Sequence, residues 1–315
     1  MKTFYPKITP FNNFFLDTDS QHSVYVEQSG NPQGFPVIFL HGGPCSGTKP
    51  DHRRFFNPQK YHIILMDQRG CGQSLPFGLV ENNTTQDLID DMERIREKLG
   101  IERWLLFGGS WGSTLTLLYA QQYTERVAGM VIRGVFLARQ KDLDWFVKEG
   151  AGRIYPEKWQ QLVSSVPEQL DTDLVKGLYD AVFGQDIVSK KAAVTAWIDW
   201  GDQVALMQSY KVNDKPVQVT KKMVKQVQME IHFAHNKYFI TENQILKECD
   251  DLQYTPTIII HGRNDLVCPM ESGMSLHHAL PNAEYIVLPN AGHIASGEAM
   301  IDALVDAADK MLRMV

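Results

Sequence analysis

The chain has 315 residues, 43% of them hydrophobic, and a formal net charge of −6 at pH 7. That is enough apolar material for the core of one large domain or two smaller ones. The mild acidity argues against a nucleic-acid partner, which calls for a basic face. The cysteines Cys45, Cys71, Cys249 and Cys268 are scattered. They form neither a CxxC pair nor a zinc-spaced cluster, so no metal or other cofactor is expected, and they read as free thiols of a reducing compartment. Residues 1–15 are broken by Pro6, Pro10, Asn12 and Asn13 and lack the apolar run of a signal peptide. No apolar stretch is long enough to span a bilayer, so the expectation is a cytoplasmic protein without a membrane partner.

In chain order, residues 24–27 read as a short strand. Residues 36–40 form a compact apolar run that stops at His41-Gly42-Gly43-Pro44, and residues 61–66 form another that stops at Asp67. Residues 84–99 read as a helix capped by Thr84 or Thr85 and ended by Gly100. Residues 104–107 read as a buried strand, 113–123 as a helix and 127–132 as a further strand. Short, wholly apolar strands alternating with helices predict a parallel sheet covered on both faces. From about residue 141 to about residue 238 helical periodicity replaces the strand signal, and tryptophans recur at 145, 159, 197 and 200. Strands return at 257–260 and 284–288, with a helix over 270–280 between them. A helical block inserted between strands of one sheet sits over its carboxyl edge, where such sheets bind ligands. The predicted organisation is therefore a catalytic core of residues 1–138 and 239–315, with a substrate-recognising helical cap over 139–238.

Gly108-Gly109-Ser110-Trp111-Gly112 lies between a predicted strand and a predicted helix. This G-x-S-x-G setting makes a nucleophile elbow, a tight turn that exposes the serine hydroxyl. A serine is a poor nucleophile at neutral pH, so it needs a base and a group to orient that base. Asp265 follows the strand 257–260, and His293 follows the strand 284–288. The order Ser110, Asp265, His293 is that of the α/β-hydrolase fold, here with a mostly parallel sheet and the inserted helical cap. Backbone N–H groups of Gly43 and Trp111 are assigned to the oxyanion hole.

The sequence resembles prolyl aminopeptidase, or proline iminopeptidase, a serine-peptidase family of this fold. The likeness runs through nearly the whole chain. It includes Leu40-His-Gly-Gly-Pro44, Asp67-Gln-Arg-Gly-Cys-Gly-Gln-Ser74, Glu81-Asn-Asn-Thr-Thr85, Gly108-Gly-Ser-Trp-Gly-Ser-Thr114, Arg133-Gly-Val-Phe136, His261-Gly-Arg-Asn-Asp265 and Ala291-Gly-His293. The resemblance implies release of N-terminal proline from short peptides, without metal. It implies that Glu230 binds the free amine and that Phe136, Phe146 and Cys268 surround the proline ring. The chain departs from the family where Gly201 stands in place of a cap glutamate, with Asp202 next to it as a shorter substitute. Phe146 stands in place of a tyrosine, and Cys45 in place of a glycine. The residues leave two other readings open. One is an esterase or amidase of different specificity on the same scaffold. The other is a non-catalytic ligand-binding member, against which the intact Ser110, Asp265 and His293 count.

Overall fold

The computed structural model describes residues 1–18, 20–148, 150–167, 173–211 and 218–315. Its elements alternate in the first third: β1 (Asn12–Asp17), β2 (Ser23–Gly30), β3 (Phe35–Leu40), β4 (Tyr61–Met66), α1 (Thr85–Lys98), β5 (Trp104–Ser110), α2 (Trp111–Gln122) and β6 (Val127–Val135). Helices then follow one another: α3 (Gln140–Val147), α4 (Pro156–Val163), α5 (Leu174–Phe183), α6 (Ile187–Leu206), α7 (Lys221–His235) and α8 (Gln244–Lys247). The chain closes with β7 (Thr257–Gly262), α9 (Met270–Ala279), β8 (Glu284–Leu288) and α10 (Glu298–Met311).

The strands form one eight-stranded sheet in the order β1-β2-β4-β3-β5-β6-β7-β8. β2 is antiparallel to both its neighbours, and every pair from β4 to β8 is parallel. The apolar runs are continuous because both faces are covered, with alternate residues serving opposite sides. Ile38, Leu106 and Ile259 pack with α1, α2 and α9. Phe39, Phe107 and Ile260 pack with α10 and the turn Pro50–Phe55. Each such fully buried side chain is worth about 1.5–3 kcal/mol.

α1 shows why its boundary was readable. Thr84 accepts from the Asp87 N–H while the Asp87 carboxylate accepts from the Thr84 N–H at 2.8 Å, a reciprocal cap. β5, β6 and β7 each run about two or three residues further at their carboxyl ends than their apolar runs. Ladder pairing, such as Leu40 with Gly108 and Gly262 with Leu288, carries the glycines into the sheet. α2 likewise begins at Trp111 rather than Ser113. β3 leads outward to β4 on one side and lies beside β5 on the other. Their carboxyl ends therefore flank the point where the winding of the sheet reverses, and loops leave a crevice there. α3 to α7 lie between β6 and β7 in the chain. No helix among the described residues is long and apolar enough to cross a membrane.

Candidate active site

β5 passes into α2 at Ser110, whose backbone sits at φ 57°, ψ −125°. Such a position costs a residue with a Cβ about 1–3 kcal/mol. Two glycines make the turn sterically feasible. A methyl on Gly108 would lie 2.2 Å from the Gly112 carbonyl, and one on Gly112 would lie 2.1 Å from the Leu40 carbonyl. β3, β5 and α2 therefore approach backbone to backbone. Ser113 fixes the turn further, donating to the Ser110 carbonyl at 2.6 Å and accepting from the Phe136 N–H at 2.9 Å.

His293, in the loop after β8, has Nε2 at 3.1 Å from Ser110 Oγ and Nδ1 at 2.8 Å from Asp265 Oδ2. An ionised carboxylate only accepts, so Nδ1 carries the proton and Nε2 is free to receive the serine's. Asp265 is held in turn by the N–H groups of Val267 (3.0 Å) and Cys268 (2.8 Å). Burial alone would push its carboxyl up. The His293 charge and hydrogen bond, the nearby His261 and the Cys268 N–H outweigh that and leave it below the usual carboxylate range. The Arg133 guanidinium donates to the His293 carbonyl. The buried His261 bonds the Cys268 carbonyl at 2.8 Å, tying down the turn that carries Asp265.

The other wall is the turn after β3. A methyl on Gly42 would sit 3.2 Å from Ser110 Cβ, so this backbone runs against the serine. Gly43 has φ 120°, and a methyl there would meet the Cys45 nitrogen at 2.5 Å. His41 holds the turn. Its Nε2 accepts from the Gln68 N–H at 3.1 Å, so its Nδ1 donates to the Gly42 carbonyl at 2.8 Å. Gln68 also accepts from the Trp111 indole at 3.0 Å. The Trp111 side chain is therefore buried beneath the site. Its backbone N–H, at the first position of α2, has no acceptor within the helix. Gly43 lines the same cavity as Ser110, and Trp111 follows Ser110 in the chain.

Ser110 and His293 open onto a cavity of about 290 Å³, which Gly43 also lines. Phe136 and Phe146 form walls, and Phe146 meets the Trp197 ring edge-on at 5.6 Å. Cys268 Sγ lies 4.0 Å from Ser110 Oγ, and burial holds its thiol protonated. At the far end Glu230 accepts from the Trp197 indole at 2.6 Å and from the Gln226 amide at 3.1 Å. Burial still pushes its carboxyl above the ordinary value. Asp202, more exposed, also lines the cavity, and burial followed by the charge of Asp199 pushes it up. Beside it, a methyl on Gly201 would find no atom of the described residues within 4 Å.

The structure thus brings Ser110, Asp265, His293, Gly43 and Trp111 together at one end, and Phe136, Phe146, Cys268, Glu230 and Asp202 around the cavity. Sequence reasoning missed Trp197, Gln226 and Tyr238, which also line it. Gln226 precedes Glu230 by one helical turn, a spacing that could have pointed to it. Tyr238 carried no local signal.

A model of the α/β-hydrolase fold matches residues 36–299. The chain is 40% identical to a probable proline iminopeptidase of Leptolyngbya boryana, over 99% of this chain and 98% of the relative. It is 43% identical to a proline iminopeptidase of Neisseria meningitidis serogroup A, over 96% and 97%. Among solved structures, a proline iminopeptidase-related protein from Thermus thermophilus superposes with a TM-score of 0.60 at 18% identity, covering 96% of this chain and 99% of that one. A bromoperoxidase from Bacillus anthracis gives 0.60 at 19%, covering 96% and 100%. At those identities the two structures speak for the fold alone.

Proposed function

Because the chain belongs to the α/β-hydrolases and, within them, to the proline iminopeptidases, its activity is the release of N-terminal proline from peptides, and we propose that Ser110, His293 and Asp265 perform it. The observation that carries this mechanism is the imidazole of His293, bonded to Asp265 on one side and to Ser110 Oγ at 3.1 Å on the other. Ser110 Oγ attacks the prolyl carbonyl as its proton passes to His293 Nε2. The N–H groups of Gly43 and Trp111 receive the oxyanion. His293 returns the proton to the leaving amine, and the shortened peptide departs. Water, deprotonated by His293, then releases proline from the acyl-serine.

The division of labour follows the chain. Residues 1–138 and 239–315 form the catalytic core, and 139–238 form the cap that reads the substrate. Glu230 pairs with the N-terminal ammonium, with Asp202 in support, and Phe136, Phe146 and Cys268 enclose the ring. A desolvated cation needs such a partner. The cytoplasm is the proposed compartment.

Purified enzyme should cleave prolyl naphthylamide, and Ser110→Ala should lose about 10⁴-fold or more in kcat while staying folded. N-acetylprolyl naphthylamide, which lacks the charge, should fall about 10²-fold in kcat/KM. Equal cleavage of the free and acetylated substrates would remove the amine site and leave an esterase or amidase of other specificity.

A further inference from the structure

Tyr238 is held where a tyrosine does not sit easily. Lys237, Tyr238 and Phe239 have consecutive φ values of 51°, 55° and 54°. This is left-handed backbone that disfavours any residue with a Cβ, and bulky ones most. The segment is anchored by Thr85, whose hydroxyl donates to the Tyr238 carbonyl. The ring is clamped edge-on to Phe136 at 5.0 Å and tilted against Trp111 at 5.6 Å. The residue is only 8% exposed and lines the same cavity as Ser110 and Glu230. Its hydroxyl has no hydrogen-bond partner among the described residues and is not one of the polar atoms sealed from the cavity, so it stays open to a ligand. Left-handed backbone and a hydroxyl open to the cavity coincide at one residue, and strain held at a cavity wall points to function.

The surroundings say which ligand. Among the described residues that line the cavity there is no lysine or arginine, while Asp142, Asp202 and Glu230 all reach it. Asp142 is already paired with Arg139 at 2.7 Å. Glu230 has spent one acceptor position of each oxygen on Trp197 and Gln226. Tyr238 feels the charges of Glu230 and Asp142, and its burial keeps the phenol protonated. An N-terminal proline presents a secondary ammonium with two N–H groups, which needs two acceptors.

We propose that Tyr238 is a further substrate-binding residue whose hydroxyl oxygen accepts one N–H of the substrate's N-terminal ammonium while Glu230 accepts the other. The tyrosine proton must then turn away from the ammonium, which leaves a lone pair of the phenol oxygen for the cation. This assignment rests on the aminopeptidase reading above.

The test compares wild type with Tyr238→Phe, which keeps the ring and its packing. Both are assayed on prolyl naphthylamide and on p-nitrophenyl acetate, an ester with no amine. The ratio of kcat/KM for the amide to that for the ester should fall about tenfold in the variant, the loss of one hydrogen bond to a charged group. The fall should lie mainly in KM, with the melting temperature held within the scatter of repeated scans. An unchanged ratio would overturn the assignment and leave the aminopeptidase reading standing, as would a fall shared equally by both substrates. Wild type that cleaves the ester and not the prolyl amide would overturn the reading, and the assignment with it.

Discussion

A carboxylate drawn out of water without a cation beside it works against the fold that holds it, and among the described residues Glu230 has no cationic partner. Its folded pKa is raised by burial, with Asp202 adding to the shift. The sign of the linkage follows. The unfolded chain loses the proton at lower pH than the folded one. The folded state is therefore favoured while Glu230 keeps its proton, and that advantage is lost as pH rises through the raised pKa. Glu230→Gln should accordingly raise the melting temperature of the empty enzyme at neutral pH, since the Trp197 indole still has an acceptor. The same change should raise KM for prolyl amides steeply. In wild type, KM for the amide should climb as pH is lowered through the raised Glu230 pKa, while KM for p-nitrophenyl acetate stays level. A neutral-pH melting temperature lowered by Glu230→Gln would mean that the carboxylate is paired in the resting protein. Asp265 is the opposite case, since its bonds to His293 and two backbone N–H groups favour the charged form.

At the level of elements, α6 carries an unexplained cost. Gly201 sits inside a 20-residue helix, where glycine is about 0.5–1 kcal/mol less favourable than alanine. Unlike Gly108 or Gly112, it has no neighbour among the described residues that a methyl would strike. Gly201→Ala should therefore raise the melting temperature by about 1–2 °C in a scanning experiment, while placing a methyl in the cavity beside Asp202. A lower melting temperature would reveal a contact absent from the empty cavity. The elements themselves were unequally legible. β7 and α1 stood out because Ile258–Ile259–Ile260 is buried on both faces and Thr84 caps in both directions. β1 did not, because Asn12, Asn13 and Asp17 are exposed on an edge strand and only Leu16 is buried. α10 buries Met300, Leu304, Val305, Ala307, Ala308 and Met311, an apolar stripe at helical spacing that was present in the chain and went unread.

Across the whole molecule, the apolar cluster on the α2 face of the sheet runs without a break into the inserted helices. Trp104, Trp111 and Leu115 share it with Leu162, Trp200 and Phe233. Polar ties cross the same boundary. Arg139 meets Glu271 at 2.8 Å, and the Trp145 indole donates to the Leu266 carbonyl at 2.9 Å. Insertion and core should therefore unfold together. In urea, far-UV circular dichroism, which follows the whole chain, and tryptophan fluorescence, weighted to Trp145, Trp159, Trp197 and Trp200, should give coincident transitions. A fluorescence midpoint at lower urea would mean that the insertion melts alone.

By itself the sequence determined that Ser110, Asp265 and His293 lie at the carboxyl ends of strands. Each follows an apolar run that ends in glycine or polar residues, and parallel strands bring such ends to one edge. It also marked the glycines Gly108 and Gly112, since strand and helix can approach so closely only where no Cβ intervenes. The tertiary structure alone decided what fills the space above that edge. Trp197, Gln226 and Tyr238 come from separate segments, and their convergence depends on how α6, α7 and the turn after α7 pack over the sheet. Tyr238 depends further on a backbone conformation that its own residue type disfavours, so no local preference in the chain could have pointed to it.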